Sequence, residues 1–200
     1  MCISTWLPLK TSAFSLSIWC AIIEKGRETR PLQGWGVNME LCERKPNRLT
    51  DYDYNQNGAY FVTICTQDRQ KLLSQIVGDG FPVPKPYGRI AEKMIHQITT
   101  KYANVLVDNY VIMPDHIHLL LRFDWNCGTG NPSPTLGNVI GWYKYQVTRQ
   151  INLLTNTQGV RVFQRSYYDH VIRNQQDYDE TWQYIENNPR KWVIQNRGYD

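Results

Sequence analysis

YVIMPDHIHLLLRF, Tyr110 to Phe123, is the stretch on which the reading of this chain turns. Pro114 and Asp115 interrupt an otherwise apolar run and predict a tight turn between a strand ending near Met113 and a second one opening at His116. Alternate residues of a strand share a face, so His116 and His118 point the same way and Ile117 points the other. Leu119, Leu120 and Leu121 continue the strand without polar relief, the pattern of a strand covered on both faces. Two imidazoles in such a setting need partners, which a metal ion or a nucleic-acid phosphate could supply.

Working outward, Ala59 to Gln67 (AYFVTICTQ) is β-branched and aromatic and predicts a first strand. The Gly- and Pro-rich segment from Gly78 to Gly88 predicts a loop. It leads into a helix in which Ile90, Met94, Ile98 and Tyr102 recur at four-residue spacing. Val105 to Met113 and His116 to Phe123 follow as paired strands. Beyond a loop from Trp125 to Pro134, Thr135 is placed to cap a helix over Leu136 to Leu154, whose Leu136, Val139, Ile140, Tyr143, Val147, Ile151 and Leu154 line one face. A strand is expected from Ser166 to Ile172. Asn174 then caps a last helix, Gln175 to Asn188, which Pro189 is expected to stop. The order is βαββαβ plus one helix, which predicts an α+β fold, a ferredoxin-like antiparallel sheet with an appended C-terminal helix.

The composition, 42% hydrophobic and 20% charged, is that of an ordinary globular chain. A formal charge of +4 permits an anionic partner without demanding one. Cys2, Cys20, Cys42, Cys65 and Cys127 are an odd, scattered set with no Cys-x-x-Cys pair, which excludes a zinc ribbon and argues for a reducing, cytoplasmic setting. Residues 1–43 read as a poorly ordered extension, and residues 44–200 as the catalytic domain. The apolar patch from Ala13 to Ile23 is too short for a bilayer, which needs roughly 20 residues, so no membrane attachment is expected. Met39 is an alternative start, testable by the intact mass of the native protein.

Chemistry enters with the last helix. Tyr184 and Asn188 are four residues apart, which puts a phenol and an amide on one helical face. Among the tyrosines of the last two helices, only Tyr184 has an amide at that spacing. If that helix crosses the sheet near the histidine strand, Asn188 could complete a ligand set with His116 and His118 while Tyr184 faces the substrate. Arg44, Lys45 and Arg48 lie in a polar, tyrosine-bearing leading segment where they could touch phosphate. Lys144, Arg149, Arg165, Arg173, Arg190 and Lys191 are further basic candidates for contact with nucleic acid, with Tyr167, Tyr168 and Trp192 as stacking surfaces. His96 and His170 have no such company and read as structural.

Taken together, YFVTICTQDR (60–69), VIMPDHIHLLL (111–121), RSYYDHVIRN (165–174) and QYIENNPRKW (183–192) resemble the REP-associated tyrosine transposases of the HUH single-tyrosine superfamily. The resemblance runs from about Arg44 to Trp192. It implies that His116 and His118 bind a divalent metal, Mg²⁺ or Mn²⁺, and that Tyr184 is the nucleophile. Asn188 stands where insertion-sequence relatives often carry Gln, and its reach is one methylene shorter. The implied activity is cutting and rejoining of single-stranded DNA beside imperfect hairpins through a 5′-phosphotyrosine, by a monomer or a homodimer. The competing reading is a domesticated hairpin-binding protein that no longer cuts. Histidine-triad hydrolases would require a third histidine at Leu120, and two-histidine phosphoesterases a hydroxyl at 118, so neither fits.

Overall fold

The computed structural model describes residues 57–124 and 134–196. The extension assigned to residues 1–43, its boundary, the leading segment with Arg48, and most of the loop before Thr135 lie outside the described residues. Strands β1 (Gly58–Cys65), β2 (Ser74–Val77) and β3 (Phe81–Pro84) lead to helix α1 (Pro86–Lys101). Strands β4 (Val105–Ile112) and β5 (His116–Phe123), helix α2 (Leu136–Leu154), strand β6 (Tyr168–Ile172) and helix α3 (Gln175–Asn196) follow. The main sheet has the order β4-β5-β1-β6 with every pairing antiparallel. This is the ferredoxin-like α+β arrangement with its extra C-terminal helix, as the element order predicts. Among the described residues no helix is long and apolar enough to cross a membrane.

Strand alternation divides the core in two. Tyr60, Val62 and Ile64 of β1 and Ile117, Leu119 and Leu121 of β5 face α1 and α2, where Ile95, Ile98, Ile140, Tyr143 and Val147 close the layer. Phe61 and Leu120 face the opposite way, with Val111, Met113 and Ile172, and there Ile185, Tyr184, Trp182 and Trp192 of α3 pack on them. The sheet is therefore covered on both faces, and α3 lies on the face toward which His116 and His118 point. Full burial of each such aliphatic side chain contributes about 1.5–3 kcal/mol, so the central strands are firmly held.

Two expectations are corrected. The segment from Gly78 to Gly88 is not only a loop, because β2 and β3 form a small hairpin of their own around Gly78 and Gly80. Its Pro82 and Pro84 suppress the strand signal, yet they sit at a two-stranded edge where missing N–H groups cost little. Pro189 likewise does not stop the last helix, which continues to Asn196. The missing N–H forfeits one bond to the Ile185 carbonyl. Burial of Pro189 and the packing of Trp192 on His116 hold the following turns in place. A Cβ on Gly80, whose φ is +113°, would come within 2.9 Å of the Arg190 backbone, so the hairpin turn presses on α3 just past the proline. The strand expected from Ser166 begins at Tyr168. The caps Thr135 and Asn174 are as expected, accepting from the Asn138 and Asp177 backbone N–H groups at 3.2 and 2.9 Å.

Candidate functional site

β5 is paired on both sides, with β1 opposing Cys65 to His116 and Thr63 to His118. That register places a hydroxyl beside the second imidazole, and Thr63 Oγ1 lies 2.9 Å from His118 Nδ1. Asp115, in the turn before β5, lies 2.6 Å from His116 Nδ1 through Oδ1, and its other oxygen accepts from Arg69 at 3.4 Å. The turn is tied down by its backbone: Thr66 N–H and hydroxyl both donate to the Asp115 carbonyl, and Leu73 N–H donates to that of Pro114. With each Nδ1 engaged, the two Nε2 atoms meet at 3.1 Å.

α3 adds the rest. The Asn188 amide nitrogen is 3.3 Å from His118 Nε2, and the Tyr184 ring lies edge-on to His118 with centroids 5.4 Å apart. Phe61 stacks on the other side of His118 at 5.0 Å and meets Tyr184 edge-on at 5.7 Å, which seats both rings. Lys191 Nζ stands 5.1 Å above the Tyr184 ring. Trp192 tilts over His116 at 6.1 Å and carries Lys71 on its face at 5.7 Å. Lys71, Lys85, Pro114 and Trp192, the last of which tilts over His116, line a groove of about 320 Å³.

The electrostatics favour a neutral His118 ring, ready to act as a ligand. Burial pushes His118 well below its ordinary value, helped by the nearby charges of His116 and Arg69. Burial would raise the Asp115 carboxyl, but the hydrogen bond and charge of His116 and the charge of Arg69 hold it below the usual range. An ionised Asp115 accepts only, so His116 keeps a proton on Nδ1 and points Nε2 toward His118. At 3.1 Å the two Nε2 atoms cannot both present bare lone pairs, and the Asn188 amide nitrogen approaches the same His118 atom. One positive centre between them, a shared proton or a cation, resolves the conflict. A flip of the Asn188 amide would present its oxygen to the same centre. Two imidazoles and an amide oxygen are a donor set that can hold a divalent cation. Among the described residues no third His, Cys, Asp or Glu joins them.

The sequence model of the IS200-like transposases matches residues 54–188, a span that includes the histidine pair and ends at Asn188. The chain belongs to the IS200-like transposase family. An uncharacterized protein of Haemophilus influenzae is 29% identical to it over 170 residues, 78% of this chain and 93% of that one. A second protein of the same organism, bearing the name of a REP-associated tyrosine transposase, is 28% identical over 148 residues, 70% of this chain and 74% of its own. The solved structure of a REP-associated tyrosine transposase bound to a REP hairpin matches at a TM-score of 0.48 and 18% identity, over 72% of this chain and 74% of that chain.

In this transposase-family chain the basic candidates are dispersed. Lys191 and Arg190 lie on α3, Lys191 against Tyr184. Lys144 is engaged structurally, its ammonium donating to the Gln164 and Arg165 carbonyls at 2.6 and 3.0 Å, and burial lowers its pKa. Arg149 is exposed on α2, across the sheet from the histidines, and Arg165 and Arg173 are exposed on either side of β6. Arg48 is outside the described residues. Tyr167 packs against the α1–α2 side of the core and Tyr168 is half-buried. His170 pairs with Asp177 of α3 at 3.0 Å, and exposed His96 meets the Tyr110 hydroxyl at 3.4 Å. Sequence reasoning missed Thr63, Arg69, Lys71 and Asp115 as partners of the site. Only Asp115, adjoining His116 in the turn, carried a local signal.

Proposed function

We propose that this chain cuts and rejoins single-stranded DNA beside small REP-type hairpins, with Tyr184 as nucleophile and His116, His118 and Asn188 holding Mg²⁺ or Mn²⁺. The observation that carries this reading is the convergence of both Nε2 atoms, the Asn188 amide and the Tyr184 ring within one chain. Such an ion, when bound, would polarise the scissile phosphate and offset the charge gathered there. Asp115 and Thr63 fix the two imidazoles in rotation, so that Nε2 rather than Nδ1 faces the substrate. Phe61 and His118 hold the Tyr184 ring, and Lys191 supplies a cation beside the phenol, whose ordinary pKa near 10 otherwise keeps it protonated.

In the step itself the Tyr184 oxygen bonds to phosphorus as the bond to the 3′ oxygen breaks. The phenolic proton passes through solvent to the departing 3′ oxygen, which leaves as a hydroxyl. The products are a 5′-phosphotyrosine and a free 3′ end, and because one ester replaces another, rejoining needs no ATP. Lys71, Lys85 and Trp192 would receive the strand as it leaves the site, two cations for phosphate and an indole for a base. The origin of all four groups in one chain supports action by a monomer, or by each half of a homodimer. A DNA substrate fits the cytoplasmic placement expected from the cysteines.

The test is an oligonucleotide carrying a hairpin and a 3′ label, incubated with the protein and Mn²⁺. Label carried by the protein through a denaturing gel is the expected result, and Tyr184→Phe should abolish it. Binding of the hairpin with no adduct under any divalent ion would instead establish the domesticated binding protein.

A further inference from the structure

From α2 to β6 the chain is segregated in charge: no Asp or Glu stands between Asp124 and Asp169, while Lys144, Arg149, Arg161 and Arg165 all do. On this span lies an open groove of about 400 Å³, in the range of roughly 300–1,000 Å³ that holds small ligands. Its floor is the outer face of α2, where Tyr145, Thr148, Arg149, Asn152 and Leu153 recur at helical spacing, and its far wall is the turn through Val160 and Arg161. Tyr145 is 63% exposed, Leu153 66% and Val160 52%, an unusual concentration of bare apolar surface for one short stretch. Among the described residues neither Arg149 nor Arg161 makes a hydrogen bond or ion pair.

The groove is preformed. Asn152 Nδ2 donates to the Val160 carbonyl at 3.1 Å, and Thr155 closes the helix end by donating through its hydroxyl to Ile151 at 2.9 Å. Asn156 and Gly159 take the positive φ that the turn requires, +52° and +71°. Its location is also constrained. Gln164 N–H donates to the Cys65 carbonyl at 3.0 Å, and Cys65 is the register partner of His116. Four residues of chain reach at most about 14 Å, so Val160 lies within that distance of Gln164 and the groove sits off the same end of the sheet as the histidines.

We propose that this groove binds the single-stranded flank of the DNA cut at Tyr184, one unpaired base stacking on Tyr145 and neighbouring phosphates meeting Arg149 and Arg161. An aromatic face between free guanidinium groups, without a carboxylate, is the chemistry that takes single strands. A second copy of the chain is the weaker occupant, because a two-fold contact through this patch would set Arg149 and Arg161 against their own copies. The inference rests on the function proposed above and extends it to a surface on the other side of the sheet.

The test uses the full chain and two fluorescent oligonucleotides, a bare hairpin and the same hairpin with a single-stranded flank of about ten nucleotides, roughly 34 Å at 3.4 Å per nucleotide. Tyr145→Ala should weaken binding of the flanked oligonucleotide about fivefold or more, and leave the bare hairpin unchanged. Arg149→Gln with Arg161→Gln should do the same, and lower the slope of log affinity against log salt by about 1.4, near 0.7 per phosphate. Equal affinities in wild type and variants, or equal losses on both oligonucleotides, overturn the inference and leave the proposed function standing. So does a dimer in sedimentation that Leu153→Ser dissociates with DNA affinity intact. Failure of the wild type to bind either oligonucleotide overturns both readings together.

Discussion

The Asn188 amide reaches to 3.3 Å from Nε2 of His118 across 70 residues of sequence. Truncation to Ala removes that reach while leaving the helix backbone unchanged. Asn188→Ala is expected to lower Mn²⁺ affinity about tenfold, with Asn188→Asp restoring or exceeding the wild-type value because a carboxylate is the better oxygen ligand. Titration of the free Mn²⁺ signal by electron paramagnetic resonance measures both. An unchanged affinity in the Ala variant would remove Asn188 from the ligand set.

Asp115 would act on the proposed metal site through His116. In Asp115→Asn the amide no longer enforces a proton on Nδ1, so the ring loses its preference for turning a lone pair toward His118. The expected cost is about 10–100-fold in metal affinity. Loss of the carboxylate's bonds to His116 and Arg69 should also cost about 1 kcal/mol of stability, so metal affinity is measured well below the melting temperature of both proteins.

The pairing of Asp177 with His170 fixes the start of α3 to β6. Burial would raise the Asp177 carboxyl, but the hydrogen bond to His170, the Arg173 backbone N–H and both positive charges hold it below its ordinary value of 3.8. A depressed carboxylate stabilises the fold fully above its unfolded pKa and progressively less as pH falls through the lower folded value. Asp177→Asn should therefore cost about 1 kcal/mol at neutral pH, the worth of a hydrogen bond of this kind. Urea titrations should show the gap to wild type closing once the pH drops below 3.8.

Gly88, in the first turn of α1, is buried against the β2–β3 hairpin, and a Cβ there would overlap the Leu73 carbonyl oxygen. Leu73 also donates its N–H to the Pro114 carbonyl, so a displaced Leu73 disturbs the turn that carries Asp115. Gly88→Ala should destabilise the fold by about 1–3 kcal/mol, the usual cost of overpacking, as read from chemical denaturation. It should also weaken Mn²⁺ binding, whereas Gly141→Ala, with open space at its Cβ, should do neither.

The histidine strand, the paired turn and the two capped helices were legible because each is written locally: alternation, a Pro-Asp break, a Thr or Asn before an apolar period. The β2–β3 hairpin was not, since Pro82 and Pro84 carry a loop signature and only an isolated two-stranded edge tolerates them. The continuation of α3 past Pro189 was hidden for a related reason. The propensity rule concerns an isolated helix, and here burial of Pro189 and the contact of Trp192 with His116 outweigh it. Tyr184 and Asn188 were visible as a pair by spacing alone. Thr63 and Arg69 reach the site only through strand register and a turn, and Lys144 gave no sign that its charge is spent on backbone carbonyls.

β5 is bonded to a strand on each side, whereas α3 rests on a single face of the sheet and is held by side chains. The two halves of the site therefore differ in how they open. Amide hydrogens of His116 and His118 should exchange with solvent only on global unfolding, while those around Tyr184 can exchange through detachment of one helix at lower free energy. The imidazoles form a fixed anvil and the phenol a part that can lift from it, so under the proposed function a DNA end joined to Tyr184 would be carried away from the histidines and returned without unfolding the sheet.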